Sequence, residues 1–513
     1  MSKISSFLDK KIVNEETAGK SYLTWRETIA YAIGRGAQGL STSMMSSDNI
    51  NTFTTKVMNI RSLKGGSSAE SGSAVLANIR LWCGLWDAFN DPVMGVLVDK
   101  THTKDGKMRP YIKYAPFICA LFTCLLFFGS ASFPNILKVI FTVIAMVGWD
   151  MSYTAFDIPM GALAFSITPN GIERTKLYSV SSIVRAVIGA IPQVLILAVG
   201  WIPALVEKPG PAYLIAAIIA SAGMILFTRP TYKFTTERAE HSEDEPTLKH
   251  CFELLFKNKP LFMLFLANMA FLLVTVQSSI DSFVAIDLMG NYKYKTMLAV
   301  AVAPAPFAAG ILTPIIVEKL GKKADFKKLY QLFCIIAAGI SGLFFITCRS
   351  KLVNLDTENG SLSVFFVIIM ALFIASSRIP LEIKNLLGKE MEAETVDYVE
   401  WKTGERAEGV MLSLMSFTGK LTNSVSSSIA LFILRFAHYD QGTGDRGLLP
   451  IPQPSSARFA LFACISLVPM IGYLIMLIPI HFYGISRQQH ELMLAEIAQR
   501  RELDQAETSE SEK

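Results

Sequence analysis

Charge is scarce in this sequence. Only 18% of its 513 residues are Asp, Glu, Lys or Arg, against 51% apolar and 11% aromatic, and the mean hydropathy is +0.39. That is too apolar for an ordinary soluble protein of this size. Metal and redox motifs are missing too. The six His are scattered, and none of the seven Cys stands in a C-x-x-C or Cys/His spacing. Cys83, Cys119, Cys124, Cys334, Cys348 and Cys464 fall in or beside apolar segments and read as core filler, while Cys251 falls in a charged loop. No G-x-x-x-x-G-K-[ST] phosphate loop is present, so hydrolysis of a nucleotide is not the expected energy source. No nucleophile–base pair stands out either, so an enzyme is disfavoured. No cofactor and no nucleic-acid partner are expected. The polar stretch from Met1 to Lys20 lacks the short apolar core of a signal peptide, and the N-terminus is expected on the inner side.

What is present is a succession of apolar windows long enough to span about 30 Å of hydrocarbon. Twelve spans are predicted, at roughly 25–47, 76–98, 112–132, 136–166, 177–204, 211–228, 260–288, 297–319, 328–348, 361–386, 408–436 and 457–484. The formal charge of +5 is distributed unevenly. Lys100, Lys104, Lys107, Arg109 and Lys113 share one loop, Arg229, Lys233, Arg238, Lys249, Lys257 and Lys259 a second, and Lys319, Lys322, Lys323, Lys327 and Lys328 a third. Basic-poor loops alternate with these, which makes the three basic loops cytoplasmic by the positive-inside rule. The expected fold is an all-α membrane protein of the major-facilitator type. It has a six-helix half (1–228), a cytoplasmic linker (229–259), a second six-helix half (260–485) and a charged cytoplasmic tail (486–513). The expected setting is a bacterial inner membrane, with both termini cytoplasmic and the chain a monomer in the bilayer.

The first span is unusual for its polar and small residues, among them Arg35 and Gln38, and should face protein or water. Ser62-Leu-Lys-Gly-Gly-Ser-Ser-Ala-Glu-Ser-Gly-Ser, within the expected external loop 47–75, reads as flexible. In the tail, Leu492, Ile497 and Leu503 look too sparse for an amphipathic helix, and no function is assigned to it.

A charged residue at the centre of a spanning helix costs about 2.5–3.5 kcal/mol on insertion scales, so the carboxylates inside the spans carry the functional argument. Leu85-Trp-Asp-Ala-Phe-Asn-Asp-Pro-Val-Met-Gly places Asp87 and Asp91 one turn apart on one face, with Asn90 beside them. Two carboxylates so close repel unless a cation lies between them or one is protonated. Their hard oxygens suit an alkali cation or a proton better than zinc or copper. Assembly with basic residues is the structural alternative. In the fourth span Asp150, Tyr153, Thr154 and Asp157 share a side, Thr154 as a further hydroxyl for the cation or a donor to its own backbone, Asp157 as an acceptor for a polyol. Arg185 and Lys420 are cations that pair with these acids or with substrate. Arg378, Glu382 and Asn385 form a stripe in the tenth span, open to an internal Arg378–Glu382 pair. Gln277 and Asp281 are predicted one turn apart in the seventh.

Four segments taken together resemble the glycoside–pentoside–hexuronide:cation symporter family. They are Trp86-Asp-Ala-Phe-Asn-Asp-Pro-Val-Met-Gly, then Asp99-Lys-Thr with Gly106-Lys-Met-Arg-Pro, then Tyr153-Thr-Ala-Phe-Asp-Ile-Pro, and finally Ala393-Glu-Thr-Val-Asp-Tyr-Val-Glu-Trp-Lys-Thr-Gly-Glu-Arg-Ala-Glu-Gly. The resemblance implies a cation site at Asp87, Asn90, Asp91 and Thr154. It also implies a sugar site at or near Tyr153, Asp157 and Lys420, to which Gln38, Arg185, Arg378 and Asn385 are added as candidates. Asp99, Lys100, Arg109, Asp397, Tyr398, Glu400, Arg406 and Glu408 become conformational residues of the cytoplasmic loops. The sugar positions depart from the family pattern: Gln38 and Gly39 replace an adjacent Lys–Asp pair, and Gly161 replaces an aromatic. The expected activity is symport of a glycoside with Na+ or H+, sodium first. Rivals are a symporter for lysolipids or other amphiphiles and a non-transporting sensor.

Overall fold

The computed structural model describes residues 10–12, 22–61, 72–99, 101, 103, 105–168, 171–238, 256, 258–320, 325–353, 364–403, 408–442 and 446–511. Among these the chain is helical throughout, apart from turns and one isolated β-bridge between Lys11 and Thr24. The N-terminal half holds α1 (Trp25–Met44), α2 (Gly72–Asp99), α3 (Arg109–Phe127), α4 (Asn135–Ile167), α5 (Gly171–Val199) and α6 (Gly210–Phe234). The C-terminal half holds α7 (Lys259–Thr275), α8 (Tyr294–Val302, resumed at Ala305–Leu320), α9 (Phe326–Val353), α10 (Val364–Thr403), α11 (Glu408–Phe436) and α12 (Ser455–Ile465, resumed at Leu467–His481). A thirteenth helix, α13 (Arg487–Ser511), follows them.

Among the described residues, eight stretches are long and apolar enough to cross a membrane. They lie in α3, α4, α5, α6, α8, α9, α10 and α12, while α7 is apolar but only 17 residues long. Helices α1, α2 and α11 are more polar because they carry Arg35, Asp87 and Asp91, and Lys420 on faces turned into the protein. Outward faces are apolar, with Ile183 and Val187 on α5 and Phe307 on α8 each at least 67% exposed. A soluble protein does not leave so much apolar surface bare.

Helix α1 starts at a capping box in which Thr24 and Glu27 bond reciprocally. Its weak hydrophobicity has a structural reason. It buries Ala30, Ala32, Gly34, Gly36, Ala37 and Gly39 against α5 and α6. Lipid tails are as apolar as Leu, so helix association in a membrane relies on close approach of small residues. At the α1–α5 crossing a Cβ added to Gly39 would stand 2.8 Å from the carbonyl oxygen of Arg185. Within the second half α7 packs on α11 and α12, and α9 on α10 and α12. The halves meet most extensively where α2 packs on α11. There a Cβ on Gly84 would fall 2.0 Å from Cβ of Ser424.

Several boundaries differ from the sequence expectation. Helix α6 runs to Phe234, into the stretch assigned to the linker. The linker then folds back: the Glu237 carboxylate accepts the backbone N–H groups of Lys107, Met108 and Arg109, at 2.9, 3.0 and 3.2 Å, at the start of α3. Beyond α1, Ser47–Thr52 is helical and Phe53–Val57 forms a π turn, so the first part of the expected external loop is folded and buried. Most of the flexible stretch, residues 62–71, lies outside the described residues. Helix α7 breaks after Thr275 and resumes as a 3-10 turn at Gln277–Ser279. Gln277 and Asp281 therefore do not share one helix face. Helix α10 has 40 residues, about 60 Å at 1.5 Å per residue, so one end stands well clear of a hydrocarbon layer of about 30 Å. The tail, whose apolar residues looked too sparse for an amphipathic helix, packs as α13 along that protruding end, burying Met493 and Ile497.

Candidate functional site: two charged clusters on either side of helix four

Asp87 and Asp91 project from one face of α2 as their i, i+4 spacing requires. Both carboxylates meet one ammonium group. Nζ of Lys420, from α11, lies 2.6 Å from Oδ1 of Asp91 and 3.3 Å from Oδ1 of Asp87. Thr154, from α4, donates its hydroxyl to the same Asp87 oxygen at 3.3 Å and stands 3.4 Å from Lys420 Nζ. The like-charge problem posed by the sequence is thus answered by an internal cation. Asn90 is 6% exposed, and among the described residues its amide nitrogen has no hydrogen-bond partner. Asp150, one turn before Thr154, is within electrostatic range of Asp87 and of Arg80. The Arg80 guanidinium donates to Asn51 Oδ1 at 3.0 Å and to the Ser47 carbonyl at 2.9 Å.

The second cluster lies between α4 and α1. Gln38 Nε2 donates to Asp157 Oδ1 at 2.9 Å, and Arg35 Nη1 reaches Gln38 Oε1 at 2.5 Å and Asp157 Oδ1 at 3.5 Å. Tyr153 is buried and stacks on Trp149, with ring centroids 4.9 Å apart and planes 14° from parallel. Trp149 is fixed in turn by donating to Ser41 Oγ at 3.0 Å. Arg185, from α5, is within electrostatic range of Tyr31 and Tyr153. Around Tyr153, then, two guanidinium groups, Arg35 and Arg185, stand with one carboxylate, Asp157. The indole wall, the carboxylate and the amide are groups that bind a polyhydroxylated ring, and the surplus cation favours a negative charge on it.

A family model described as MFS/sugar transport protein matches residues 30–487, nearly the whole chain. The chain belongs to that family. It is a multi-pass membrane transporter and not an enzyme. It is similar to the glucuronide carrier protein homolog of Escherichia coli K12, 25% identical over 94% of this chain and 97% of that one. It is equally similar to the isoprimeverose transporter of Lactiplantibacillus pentosus, 25% identical over 94% of this chain and 93% of that one. Among solved structures, a peptide transporter in complex with sulfate matches with a TM-score of 0.57 at 12% identity, over 94% of this chain and 98% of that one. A nucleoside transporter matches with a TM-score of 0.54 at 11% identity, over 88% and 98%. These two likenesses concern the fold alone.

The transporter's remaining candidates are placed as follows. Lys420, grouped by resemblance with the sugar site, has its ammonium against Asp91 and Asp87, since α11 packs on α2, and it is also within electrostatic range of Asp157. Arg378 makes no ion pair with Glu382 among the described residues. Its buried Nε has no partner, while Asn385 donates to Glu382 at 3.5 Å. Arg109 donates to the Tyr232 carbonyl at 2.7 Å and stacks on the Tyr232 ring, which is a role in tying α3 to α6. Asp397 bonds His490 of α13 at 2.9 Å, and Tyr398 lies against Trp401. Glu400 is buried. Lys100 and Arg406 lie outside the described residues, as do the side chains of Asp99 and Glu408.

Arg35 and Arg80 were not among the site residues chosen from sequence. The i, i+3 spacing of Arg35 and Gln38 on a helix of small residues was a readable signal for the first. For Arg80 there was none, because its link to Asp150 exists only once α2 and α4 pack. An apolar cavity of about 620 Å3 runs along α2 and α4, lined by Val75, Ile79, Trp82, Trp86, Val143 and Val147 among others.

Proposed function

We propose that this chain couples the uptake of an anionic sugar, of the hexuronide kind, to the entry of Na+ or H+, with sodium the first choice. The observation that carries the reading is the opposite imbalance of the two clusters. Around Asp87, Asp91 and Asp150 the acids outnumber the nearby bases Lys420 and Arg80. Around Tyr153 the bases Arg35 and Arg185 outnumber the acid Asp157. One cation and one anion together complete both. The similarity to a glucuronide carrier homolog supports an anionic solute, and the similarity to an isoprimeverose transporter supports sugars generally.

Lys420 holds the place a coupling ion would take. An entering cation competes with the ammonium for Asp87 and Asp91, and Asn90 and Thr154 contribute neutral oxygens to its shell. The displaced ammonium is then free to move towards a bound anion. Ion and solute each favour the same arrangement of the halves, which is the condition for coupling. An anionic sugar entering with one cation moves no net charge, so its accumulation follows the cation's concentration gradient, and each further cation carried inward at 100 mV would add about 2.3 kcal/mol. A bacterial inner membrane with cytoplasmic termini is the setting that the basic loops support.

The test is thermal stabilisation of the purified protein by paired glucuronides and neutral glucosides, each with and without sodium, followed by uptake into proteoliposomes. Mutual enhancement between sodium and a glucuronide is expected. Stabilisation by neutral glucosides alone, indifferent to sodium, would overturn the reading. A second reading, an amphiphile symporter, draws on the apolar cavity beside Trp82 and Trp86. It predicts that a lysolipid competes with the sugar for uptake.

A further inference from the structure

At the end of the bundle away from the basic loops, the two halves close on a repeated motif. The short helical stretch that follows the first helix of each half ends in a π turn, Phe53–Val57 in one and Val284–Leu288 in the other. Laying Phe53 on Val284, a shift of 231 residues, superimposes the hydrogen bonds. The Met58 N–H bonds the Phe53 carbonyl at 2.8 Å, and the Met289 N–H bonds the Val284 carbonyl at 2.9 Å. The Ile60 N–H bonds the Thr54 carbonyl at 3.1 Å, and the Asn291 N–H bonds the Ala285 carbonyl at 3.0 Å. Asn59 and Gly290, equivalent in the shift, both have positive φ, 51° and 84°. Residue identity offers no hint of this, since Phe-Thr-Thr-Lys-Val and Val-Ala-Ile-Asp-Leu share no residue at any equivalent position.

The same shift pairs Asp48 with Ser279 and Asn51 with Ser282. Across the halves, Asp48 accepts from the Ser282 N–H at 2.9 Å and from its hydroxyl at 2.6 Å, while Asn51 donates to the Ser279 carbonyl at 3.0 Å. Each residue meets the equivalent of the other's partner, the pattern of an isologous two-fold contact. Lys56 and Asp287, the fourth residues of their π turns, are equivalent to each other and so meet on the axis. Their charged atoms are 2.8 Å apart, with side chains 1% and 0% exposed. Asp287 also accepts from the Tyr439 hydroxyl and from the Ile451 N–H at 3.2 Å. Beside this pair, Lys295 Nζ bonds Asp48 Oδ2 at 2.7 Å and Ser282 Oγ at 2.8 Å.

We propose that the Lys56–Asp287 pair, flanked by Asp48–Lys295, is the gate that seals the transport pathway at this end and must part on every cycle. It rests on the reading of the chain as an alternating-access transporter. The polarity of the seal has a physical reason. A buried ion pair gains little over separated, hydrated charges, because desolvation offsets attraction. A seal of this kind closes fully yet opens into water at small net cost, whereas an apolar seal of the same size would hold one state. Removing one partner while the other stays buried is costly, which makes the closed state the one that suffers.

The experiment follows a cysteine reporter at Ser427, which is buried and bonded to Asn51 at 3.0 Å. A membrane-impermeant maleimide is applied to vesicles of either orientation, with the chain lacking the reporter as background. Lys56→Ala and Asp287→Asn should each raise labelling at least tenfold from the face opposite the basic loops and leave the other face unchanged. The exchanged pair, Lys56→Asp with Asp287→Lys, should return labelling to within about twofold of the parent. The apolar pair, Lys56→Met with Asp287→Leu, should keep the gate shut to label and slow uptake about tenfold or more. Unchanged labelling in both single variants, or an exchanged pair that labels like them, would overturn the proposal. Labelling needs no transported solute, so it stays readable if the sugar assignment fails, and uptake by a variant whose labelling never changes would leave that assignment intact.

Discussion

The two clusters flanking α4 are built from the same few side chains, yet one is closed upon itself and the other is not. In the first, Lys420 satisfies Asp91 and Asp87 at once. In the second, Asp157 is shared by Gln38 and Arg35 while Arg185 stands by without a carboxylate of its own among the contacts described. The difference teaches that charge alone does not distinguish an ion site from a solute site inside a membrane. What distinguishes them is which sign is in excess after the protein has paired what it can. A cluster left acidic recruits a cation, and one left basic recruits an anion.

The sharpest way to break the comparison is at its acidic side. Asp91→Asn removes the shorter of the two contacts to Lys420 and the carboxylate best placed for a coupling ion. Sodium-stimulated uptake should fall a hundredfold or more, the scale of losing one member of a buried ionic pair. Uptake that keeps its sodium dependence in this variant would remove the cation site from α2.

The basic side should respond differently. Arg35→Gln and Arg185→Gln should each weaken a glucuronide by about ten- to a hundredfold, the range of a charge-assisted hydrogen bond of about 1.5–3 kcal/mol. The matching neutral glucoside should change by less than about threefold, and sodium binding should be untouched. Equal losses for charged and neutral sugars would mean that the guanidinium groups serve packing and not recognition.

A smaller effect should come from the contact that carries the acidic cluster. Gly84 lets α2 approach α11 at Ser424, and Asp91 and Lys420 lie further along the same two helices. Gly84→Val forces them apart and should cost about 1–3 kcal/mol as overpacking, seen as a lower midpoint of thermal unfolding. Uptake should lose sodium sensitivity before it loses sugar affinity, since of the two clusters flanking α4 the acidic one is held by a contact across the halves, Asp91 to Lys420. A fall in sugar affinity alone would show that the solute site also depends on this crossing.

How much of this was readable beforehand varies with the range of the interaction. Asp87, Asn90 and Asp91 share a helix, and their one-face arrangement follows from spacing alone. Hydropathy located the helices to within several residues, except where an apolar count cannot see: the break of α7 after Thr275, the extra turns of α10, the end of α6 and the docked tail. The tail was missed because its helix is held by Trp401 and Asp397 more than by its own apolar stripe. The placement of Lys420 required knowing that α11 packs on α2, 329 residues away in sequence. The π turns at Phe53–Val57 and Val284–Leu288 were unreadable for another reason, since their likeness resides in backbone geometry and not in residue type.

The smallest predicted effect concerns a pair outside the membrane, where water screens what the bilayer interior does not. His490 on α13 bonds Asp397 on α10 at 2.9 Å, and that hydrogen bond, with the nearby charges of Glu394 and Glu491, raises the imidazole above its ordinary pKa. A raised pKa in the docked state means that the imidazolium favours docking. The contribution is complete below the undocked value near 6.5 and is lost as pH climbs through the higher docked value. The tail should therefore hold α10 most firmly in acid and loosen towards alkaline pH, by a few tenths of a kcal/mol given its partial exposure. Hydrogen exchange across α13 between about pH 5 and pH 9, corrected for intrinsic rates, should show that protection falls in the parent and stays level in His490→Gln. The same slope in both proteins would assign the pH response elsewhere, while Trp401, which donates to Glu496 at 2.6 Å and accepts Arg500 on its carbonyl at 2.8 Å, would keep the tail docked without any help from the histidine.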